Sequence, residues 1–247
     1  MLPRFYAPGL DPAAATAVLA ADESHHLARV LRLGSGDAVA IFDGRGHEFL
    51  ARVQRVDRDA ATVALVQPLP SAPEPSVRVT LVQSVLKGDK MDDVVRDATM
   101  AGVSQIAPIV TARTEIKVSA LKRAHAAERW QRVAISSAKQ CGRAWVPPTE
   151  LAVPLEEWLA APFAGVRLLL VEPSAGEEGV LSMRQLQARE RPGSAACLVG
   201  PEGGWTPEER AAALAAGGLP ATLGALTLRA DAVALAALAA LSVVWGD

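Results

Sequence analysis

The residues best suited to chemistry lie in a glycine-rich stretch, LVGPEGGW, at positions 198–205. An apolar run typical of a buried strand precedes this stretch. A helix follows it, with Thr206 as its cap and Glu209 completing a capping box. Glycines at 200, 203 and 204 let a ligand approach the backbone closely. Because ligands of open α/β sheets bind beyond the carboxyl ends of strands, the stretch predicts a ligand-binding loop, with a tight structural turn as the alternative.

The glycine pattern excludes the common phosphate-binding loops. It is not G-x-G-x-x-G, and no G-K-S/T follows it, so the dinucleotide and P-loop fingerprints are absent from this stretch. Glu202 beside a helix N-terminus would repel a phosphate. The predicted ligand is therefore not one held mainly by its phosphates.

A second candidate stretch, LGALTLRAD, occupies positions 223–231. A strand is predicted to end at Gly224, and Arg229 opens the last predicted helix. A cation at a helix N-terminus opposes the helix dipole, which favours a role in contacting a ligand or substrate. The alternative is a salt bridge of Arg229 with Asp231 or Glu202.

Positive charge is concentrated in the middle of the chain. The formal net charge is −2, but residues 77–143 carry 12 basic and 6 acidic side chains. Lys87 and Lys90 follow a predicted strand, where Asp89 is expected to cap the next helix, and a predicted helix over residues 121–141 carries many of the other cations. The block indicates an anionic partner, with a solvated helix face as the alternative.

A proline-rich linker at residues 68–76 divides the predicted elements into two groups. Before it, strands are predicted over residues 37–42, 47–56 and 61–66 and a helix over residues 23–31, which indicates a small β-barrel or sandwich. After it, strands are predicted over residues 77–86, 106–110, 166–171, 195–199 and 219–223, with helices over residues 89–101, 121–141, 206–216 and 229–244. This alternation predicts a parallel sheet covered on both faces.

Composition excludes several classes of protein. Two cysteines, Cys141 and Cys197, cannot build a disulfide scaffold or a multi-cysteine zinc site. His25 and His26 are adjacent, so on a helix they do not face one metal. The chain opens with no apolar leader, and its longest apolar run is too short to span a bilayer. We expect a cytoplasmic protein without a metal or a membrane contact.

Together these stretches resemble one family, the bacterial 16S ribosomal RNA uridine-N3 methyltransferases of the knotted SPOUT superfamily. The resemblance covers nearly the whole chain. It is carried by residues 25–33, 36–37, 42–44, 87–92, 98–103, 129–130, 140–143 and 198–204.

The resemblance implies an α/β fold with two domains. These are a PUA-like RNA-binding β-barrel over residues 1–70 and a SPOUT methyltransferase domain over residues 77–247, with a parallel sheet and a C-terminal trefoil knot. It also implies S-adenosyl-L-methionine as the cofactor, held by three loops. The implied cofactor-binding residues are Val171, Glu172, Pro173, Val199, Gly200, Pro201, Glu202, Gly203, Gly204, Leu223, Gly224, Leu228, Arg229 and Asp231.

The implied activity is methylation of N3 of one uridine in 16S rRNA of the small ribosomal subunit, by a homodimer. Arg229 is the candidate catalytic residue, because a guanidinium can stabilise charge on a deprotonated uracil. The general base stays open between Asp231 and Glu202. The residues expected to contact RNA are Arg29, Arg32, Lys87, Lys90, Arg129, Arg132 and Arg143.

Two alternatives come from different classes. One is a knotted enzyme that methylates a ribose 2′-hydroxyl. The other is a non-catalytic RNA-binding assembly protein, which the last loop keeps open because it departs from the family pattern. Leu226 stands where the family has an arginine, and Ala230 where it has a threonine, whereas Arg229 is kept.

Overall fold

The computed structural model describes residues 2–57, 60–173 and 179–246. Its contacts divide the chain into two compact units. The first unit comprises Met1–Glu74 with Ile135–Val146, and the second comprises Pro75–Ala134 with Pro147–Asp247. Within the described ranges, no helix combines the length and the apolar character needed to cross a membrane.

The first unit is built on a mixed five-stranded half-barrel. Its strands are β1 (Arg4–Tyr6), β2 (Thr16–Leu19), β3 (Ala38–Phe42), β4 (Glu48–Val56) and β5 (Ala61–Pro68). They lie in the order β1-β3-β4-β5-β2, with β1 and β3 parallel and the other pairs antiparallel. The three predicted strands are present, and side chains such as Phe5, Ile41 and Val63 are fully buried between them. The short β1 and β2 were not predicted, because three or four residues carry too little periodicity.

The predicted helix over residues 23–31 has a different form. The structure has α1 (Ala21–His25) followed by a π-helical turn (His26–Val30). The Leu31 N–H donates to the His26 carbonyl, five residues back, at 3.0 Å. The apolar spacing of Leu27, Val30 and Leu31 predicted a buried face, but only Leu27 is buried and the other two side chains are exposed. The helix type was also wrong.

The second unit contains a seven-stranded parallel sheet. Its strands are β6 (Arg78–Ser84), β7 (Gln105–Val110), β8 (Val153–Pro154), β9 (Val166–Leu170), β10 (Leu181–Ser182), β11 (Ser194–Val199) and β12 (Gly218–Thr222). They lie in the order β10-β12-β9-β11-β6-β7-β8. Each neighbouring pair runs parallel, which confirms the predicted sheet type.

Helices cover both faces of this sheet, as predicted. They are α2 (Lys90–Met100), α3 (Val118–Arg123), α4 (Ala126–Cys141), α5 (Leu155–Ala160), α6 (Met183–Gln187), α7 (Pro207–Ala215) and α8 (Ala230–Trp245). The helices α5 and α7 contact each other on one face, and α2 and α6 pack against α8 on the other. Because β9 lies between β12 and β11, the loops after these three strands emerge side by side.

Two local predictions in this unit were wrong. The helix expected over residues 121–141 is two helices, since His125 has a φ of +49° and interrupts the chain between α3 and α4. Asp89 stands at the N-cap of α2, but its side chain makes no capping hydrogen bond. It accepts a hydrogen bond from Arg129 at 3.1 Å instead.

The segment Ile135–Val146 belongs to the first unit although it lies far along the chain. The Arg4 guanidinium caps the end of α4, donating to the carbonyls of Ala138 at 2.7 Å and Lys139 at 2.9 Å. Lys139 also pairs with Glu23 at 2.8 Å. Contacts between residues more than a hundred positions apart leave no local signal, so the boundaries expected at residues 70 and 77 do not include this segment.

Candidate functional site

Three loops at the carboxyl ends of neighbouring strands line one pocket of the second unit. They are residues 171–173 after β9, the glycine loop (residues 200–205) after β11, and the exposed loop (residues 223–228) after β12. The pocket has a volume of about 230 Å³. Its lining residues are Lys90, Leu170, Val171, Glu172, Pro173, Val199, Gly200, Pro201, Glu202, Trp205, Thr222, Leu223, Leu226, Thr227, Leu228, Arg229, Ala230, Asp231 and Val233.

The glycine loop is folded tightly against its own tryptophan. The Gly204 N–H donates to the Pro201 carbonyl at 2.9 Å and closes a turn, and Gly204 has a φ of +68°. Trp205 is 8% exposed, and its Nε1–H donates to the Leu170 carbonyl at the end of β9 at 2.9 Å. A Cβ on Gly200 would lie 3.2 Å from the indole. The glycine at 200 therefore lets the backbone lie directly on the ring.

Glu202 ties the glycine loop to the start of α2. Its Oε1 accepts hydrogen bonds from the Lys90 ammonium at 3.0 Å and from the Lys87 N–H at 3.2 Å. Burial opposes the ionisation of Glu202, but the hydrogen bonds from the backbone and from Lys90 outweigh it and hold its pKa below the ordinary value. The carboxylate is therefore ionised at neutral pH and poorly suited to take up a proton.

The exposed loop has few internal partners. The Thr222 hydroxyl donates to the Gly224 carbonyl at 3.1 Å. The backbone groups of Leu226, Thr227 and Leu228 make no hydrogen bond to any residue that the structure describes. Leu226 is 80% exposed. These N–H and C=O groups remain available to a ligand.

Arg229 stands between the exposed loop and α8. It is the N-cap residue of α8, and its side chain is 76% exposed. Its Nε donates to the Asp231 carboxylate at 3.2 Å, which realises one of the two salt bridges considered from the sequence. Both side chains line the pocket. A planar guanidinium is thus held at the pocket's edge, open to solvent.

The lining of the pocket fits the cofactor implied by the resemblance. Apolar walls, among them Val171, Val199 and Val233, suit an adenosine. The carboxylates of Glu172 and Asp231 also lie in the lining and favour a positively charged group. The free backbone groups of the exposed loop suit the polar edge of a base. A nucleoside that carries a sulfonium therefore matches this donor set.

The structure brings most of the expected cofactor residues together. Eleven of the fourteen line the pocket, whereas Gly203, Gly204 and Gly224 are not among its described lining residues. Eight further described residues line the pocket. Lys90 was expected only to contact RNA, and Leu226, Thr227 and Ala230 lie inside the predicted stretch 223–231 without having been singled out. Leu170, Trp205, Thr222 and Val233 flank the predicted loops, so extending each loop by a few residues would have found them.

The residues expected to contact RNA differ in their surroundings. Lys87 pairs with Glu115 at 2.5 Å, and Arg129 pairs with Asp92 at 2.8 Å. Lys90 is held by Glu202, as described above. These pairs lie on the surface, where ion pairs contribute little and can exchange for a phosphate. The side chains of Arg29, Arg32 and Arg132 are exposed, and none makes an ion pair with a described residue.

Arg143 does not fit that group. Its side chain is 7% exposed and forms a salt bridge with Glu74. Its carbonyl also accepts a hydrogen bond from Arg4 at 3.0 Å. We therefore correct the expectation for Arg143, because a buried and paired guanidinium cannot reach a phosphate without breaking this network.

Cys197 and His26 both pack against other side chains or lie inside the core. Cys197 is fully buried in β11, and burial raises the pKa of its thiol to about 12, which agrees with the predicted inert packing. His26 packs edge-on against Phe5, with ring centroids 6.1 Å apart. Among the described residues, no three histidine, cysteine or acidic side chains cluster as metal ligands do.

Comparison with known proteins gives a consistent result for both units. A family model described as an RNA methyltransferase domain matches residues 73–242, and one described as an RNA methyltransferase PUA domain matches residues 19–66.

Relatives with established names match along most of the chain. Ribosomal RNA small subunit methyltransferase E of Synechocystis is 34% identical over 91% of this chain and 72% of its own length. The protein of the same name from Mycobacterium bovis is 30% identical over 97% of this chain and 91% of its own. The crystal structure of the Neisseria gonorrhoeae enzyme of that name, bound to S-adenosyl methionine, is 30% identical and superimposes with a TM-score of 0.88, covering 99% of this chain and 98% of that one.

Proposed function

We infer that the chain, which belongs to the family of ribosomal RNA small subunit methyltransferase E, is an S-adenosyl-L-methionine-dependent rRNA methyltransferase. We propose that its product is a uridine of 16S rRNA methylated at N3. The observation that carries the proposal is the convergence of three strand-end loops on one pocket that is lined by apolar, acidic and open backbone groups.

The cofactor contacts are proposed from the lining of the pocket. S-adenosyl-L-methionine, when bound, supplies an electrophilic methyl group on a sulfonium. The apolar side chains of Val171 and Val199 and the backbone of the exposed loop would hold its adenosine. The carboxylates of Glu172 and Asp231 would offset its positive charge.

Arg229 is the proposed catalytic residue. N3 lies on the pairing edge of uracil, so the base must be unpaired before it can reach the pocket. Transfer of the N3 proton to a base, for which Asp231 is the remaining candidate, leaves negative charge on the ring oxygens. An exposed planar guanidinium can donate two hydrogen bonds to such oxygens. The Asp231 carboxylate, 3.2 Å from Arg229 Nε, orients the guanidinium at the edge of the pocket. Glu202 is not proposed as the base, because its pKa is lowered and Lys90 engages it.

RNA binding is proposed for exposed cations of both units. Arg29 and Arg32 belong to the first unit, and Lys87, Lys90, Arg129 and Arg132 belong to the second. Contacts of such side chains with phosphates give affinity that depends on salt but not on sequence. Because the proposed substrate is ribosomal RNA, we also propose that the protein acts in the cytoplasm.

A homodimer is proposed from the surface of α8. This helix carries one charged residue, Asp231, in sixteen positions. Leu235 and Val243 lie on its exposed side, with 42% and 73% of their surface accessible. A helix that is apolar on all sides is normally buried, so a second copy of the chain is expected to cover this face. Light scattering would detect the dimer, and Val243→Glu is expected to shift it toward monomer.

A methylation assay tests the proposed activity. Small ribosomal subunits from a bacterial strain that lacks this methylation would be incubated with the protein and labelled S-adenosyl-L-methionine, and the nucleosides analysed by mass spectrometry. We expect 3-methyluridine as the labelled product. A 2′-O-methylated nucleoside would identify a ribose methyltransferase instead. Absence of transfer, together with absence of cofactor binding in calorimetry, would identify a non-catalytic RNA-binding protein.

A further inference from the structure

Arg113 lies outside the three loops, yet it contacts the glycine loop. It follows β7, and its Nη1 donates to the Gly203 carbonyl at 2.5 Å and lies 3.4 Å from the Trp205 carbonyl. It is not among the described residues that line the pocket. It lies instead on the wall of a neighbouring hollow, which shares Val171, Glu172 and Trp205 with the pocket. Arg113 therefore contacts the glycine loop from outside the pocket.

The peptide that joins Gly203 to Gly204 is held at both ends. Its carbonyl accepts from Arg113, and its N–H donates to the Pro201 carbonyl at 2.9 Å. In a trans peptide the carbonyl and the N–H point in opposite directions, so these two bonds together fix the peptide plane. The same peptide closes the turn over residues 201–204. The orientation of Pro201 and Glu202, which line the pocket, thus depends on the bond from Arg113.

Glycine at position 203 is what allows this contact. A Cβ on Gly203 would lie 3.2 Å from Cδ and 3.3 Å from Cβ of Arg113. The aliphatic part of the arginine therefore lies directly against the loop backbone. A side chain at this position would push the arginine away from the carbonyl that it holds.

Arg113 is itself held in place by a short, closed turn. The Thr114 N–H donates to the Thr111 carbonyl, and the Thr111 N–H donates to the Thr114 hydroxyl, both at 3.1 Å. The Ala112 N–H donates to the Glu209 carboxylate at 2.7 Å, and the same carboxylate accepts from the Thr206 N–H at 2.9 Å. The buried Glu209 thus caps α7 and anchors the turn that presents Arg113.

We propose that Arg113 is a positioning residue that holds the glycine loop in its cofactor-binding conformation. The inference rests on the proposed function and adds to it a residue that touches neither cofactor nor RNA. A loop that is ordered before binding loses less conformational entropy when the ligand arrives. Arg113 therefore raises the affinity for S-adenosyl-L-methionine and leaves the methyl-transfer step unchanged.

Calorimetry with S-adenosyl-L-methionine tests the proposal on the full chain. Arg113→Ala is expected to raise Kd by about tenfold or more, the effect of losing a charged hydrogen bond. The kcat at saturating cofactor is expected to stay within about threefold, so the loss appears in KM. Arg113→Lys is expected to recover part of the affinity, because the ammonium can reach one carbonyl. The matched control is Arg184→Ala, an exposed arginine of α6, which is expected to leave Kd unchanged.

A second variant alters the glycine-loop side of the contact between Arg113 and Gly203. Gly203→Ala keeps the arginine but displaces it, and it is expected to raise Kd in the same direction. If Arg113→Ala does not fold, as judged from its thermal transition, Gly203→Ala and Arg113→Lys decide the question. If the folded variants bind the cofactor with the wild-type Kd, or if they lose only kcat, the positioning role of Arg113 is wrong. Neither result would contradict the proposed function. Failure of the wild-type chain to bind the cofactor at millimolar concentration would overturn the proposed function as well.

Discussion

The glycine loop and the exposed loop line the same pocket, but they are held very differently. The glycine loop is fixed by its own turn, by Arg113, by the Lys90–Glu202 pair and by the bond from Trp205 to Leu170. Over residues 225–228 the exposed loop makes no hydrogen bond to a described residue. One wall of the pocket is therefore ordered before a ligand arrives, and the other is ordered by the ligand.

This difference separates two kinds of substitution. Changes in the glycine loop are expected to reduce folding stability and cofactor affinity, because its contacts exist in the free protein. Changes in and beside the exposed loop are expected to leave stability unchanged and to affect cofactor binding or turnover, because its contacts form only with a bound ligand. The predictions that follow test this division, beginning with the largest expected effect.

Trp205→Ala is expected to lower the free energy of unfolding by about 3–5 kcal/mol, since it empties a buried indole site. Urea denaturation measures the loss. Trp205→Phe keeps an aromatic side chain at the site but removes the bond to the Leu170 carbonyl, so it should cost less, about 1–3 kcal/mol. The control is Trp158→Ala in α5, a partly exposed tryptophan, which should lower the free energy of unfolding by less than Trp205→Ala does. A Trp205→Ala variant as stable as the wild type would show that the glycine loop is not held as described.

Arg229→Ala is expected to reduce kcat by about 10²–10³, the usual cost of removing a group that stabilises developing charge. Thermal stability should not change, because the side chain is exposed and its described partner is Asp231. Single-turnover methylation of ribosomal subunits measures the rate. Arg229→Lys serves as the conservative variant and should retain part of the activity. A native rate in Arg229→Ala with normal cofactor binding would remove Arg229 from the proposed mechanism.

The stability contributed by Glu202 is expected to depend on pH. Its pKa is lowered in the folded protein, so its contribution is complete above the ordinary value of 4.5 and is lost as the pH falls through the lower, folded pKa. Glu202→Gln should therefore cost about 0.5–1 kcal/mol at neutral pH and progressively less in acid. Thermal melts of the wild type and of Glu202→Gln, from neutral pH down into the acid range, measure the difference in stability. Glu190→Gln, at an exposed glutamate, is the control. A stability difference between Glu202→Gln and the wild type that does not change with pH would contradict the pairing of Glu202 with Lys90.

Leu226→Ala is expected to change the free energy of unfolding by no more than about 0.5 kcal/mol, because the side chain lies almost wholly in solvent. The matched control is Leu169→Ala in β9, which is fully buried and should cost about 2–5 kcal/mol. Urea denaturation compares the two. A large loss at Leu226 would mean that the exposed loop already packs against something in the free protein.

The sequence alone predicted several features whose signal is local, although the break at His125 and the π-helical turn at residues 26–30 were missed. The capping box of Thr206 and Glu209 is present with both hydrogen bonds, because its partners are three residues apart. The apolar runs of β6, β7, β9 and β11 and the parallel sheet type followed from short-range patterns. The family resemblance also came from contiguous motifs.

Predictions that needed distant partners were incomplete or wrong. The capping role of Asp89 failed because Arg129, 40 residues away, engages its carboxylate. Arg143 was taken for a surface cation, but Glu74 holds it inside the first unit. No local pattern shows which opposite charge a side chain will meet once the chain has folded.

The amino-acid sequence by itself determined most of the longer strands and helices, the glycine backbone at residues 200–204 and the placement of Arg229 at the start of the last helix. Only the tertiary structure decided that β9 lies between β12 and β11, and this order brings the three loops to one pocket. It also decided that Arg113, 90 residues before Gly203, reaches the glycine loop. The reason is physical: helix caps and strand periods arise from neighbouring residues, whereas strand order and long-range pairing arise from packing the whole core.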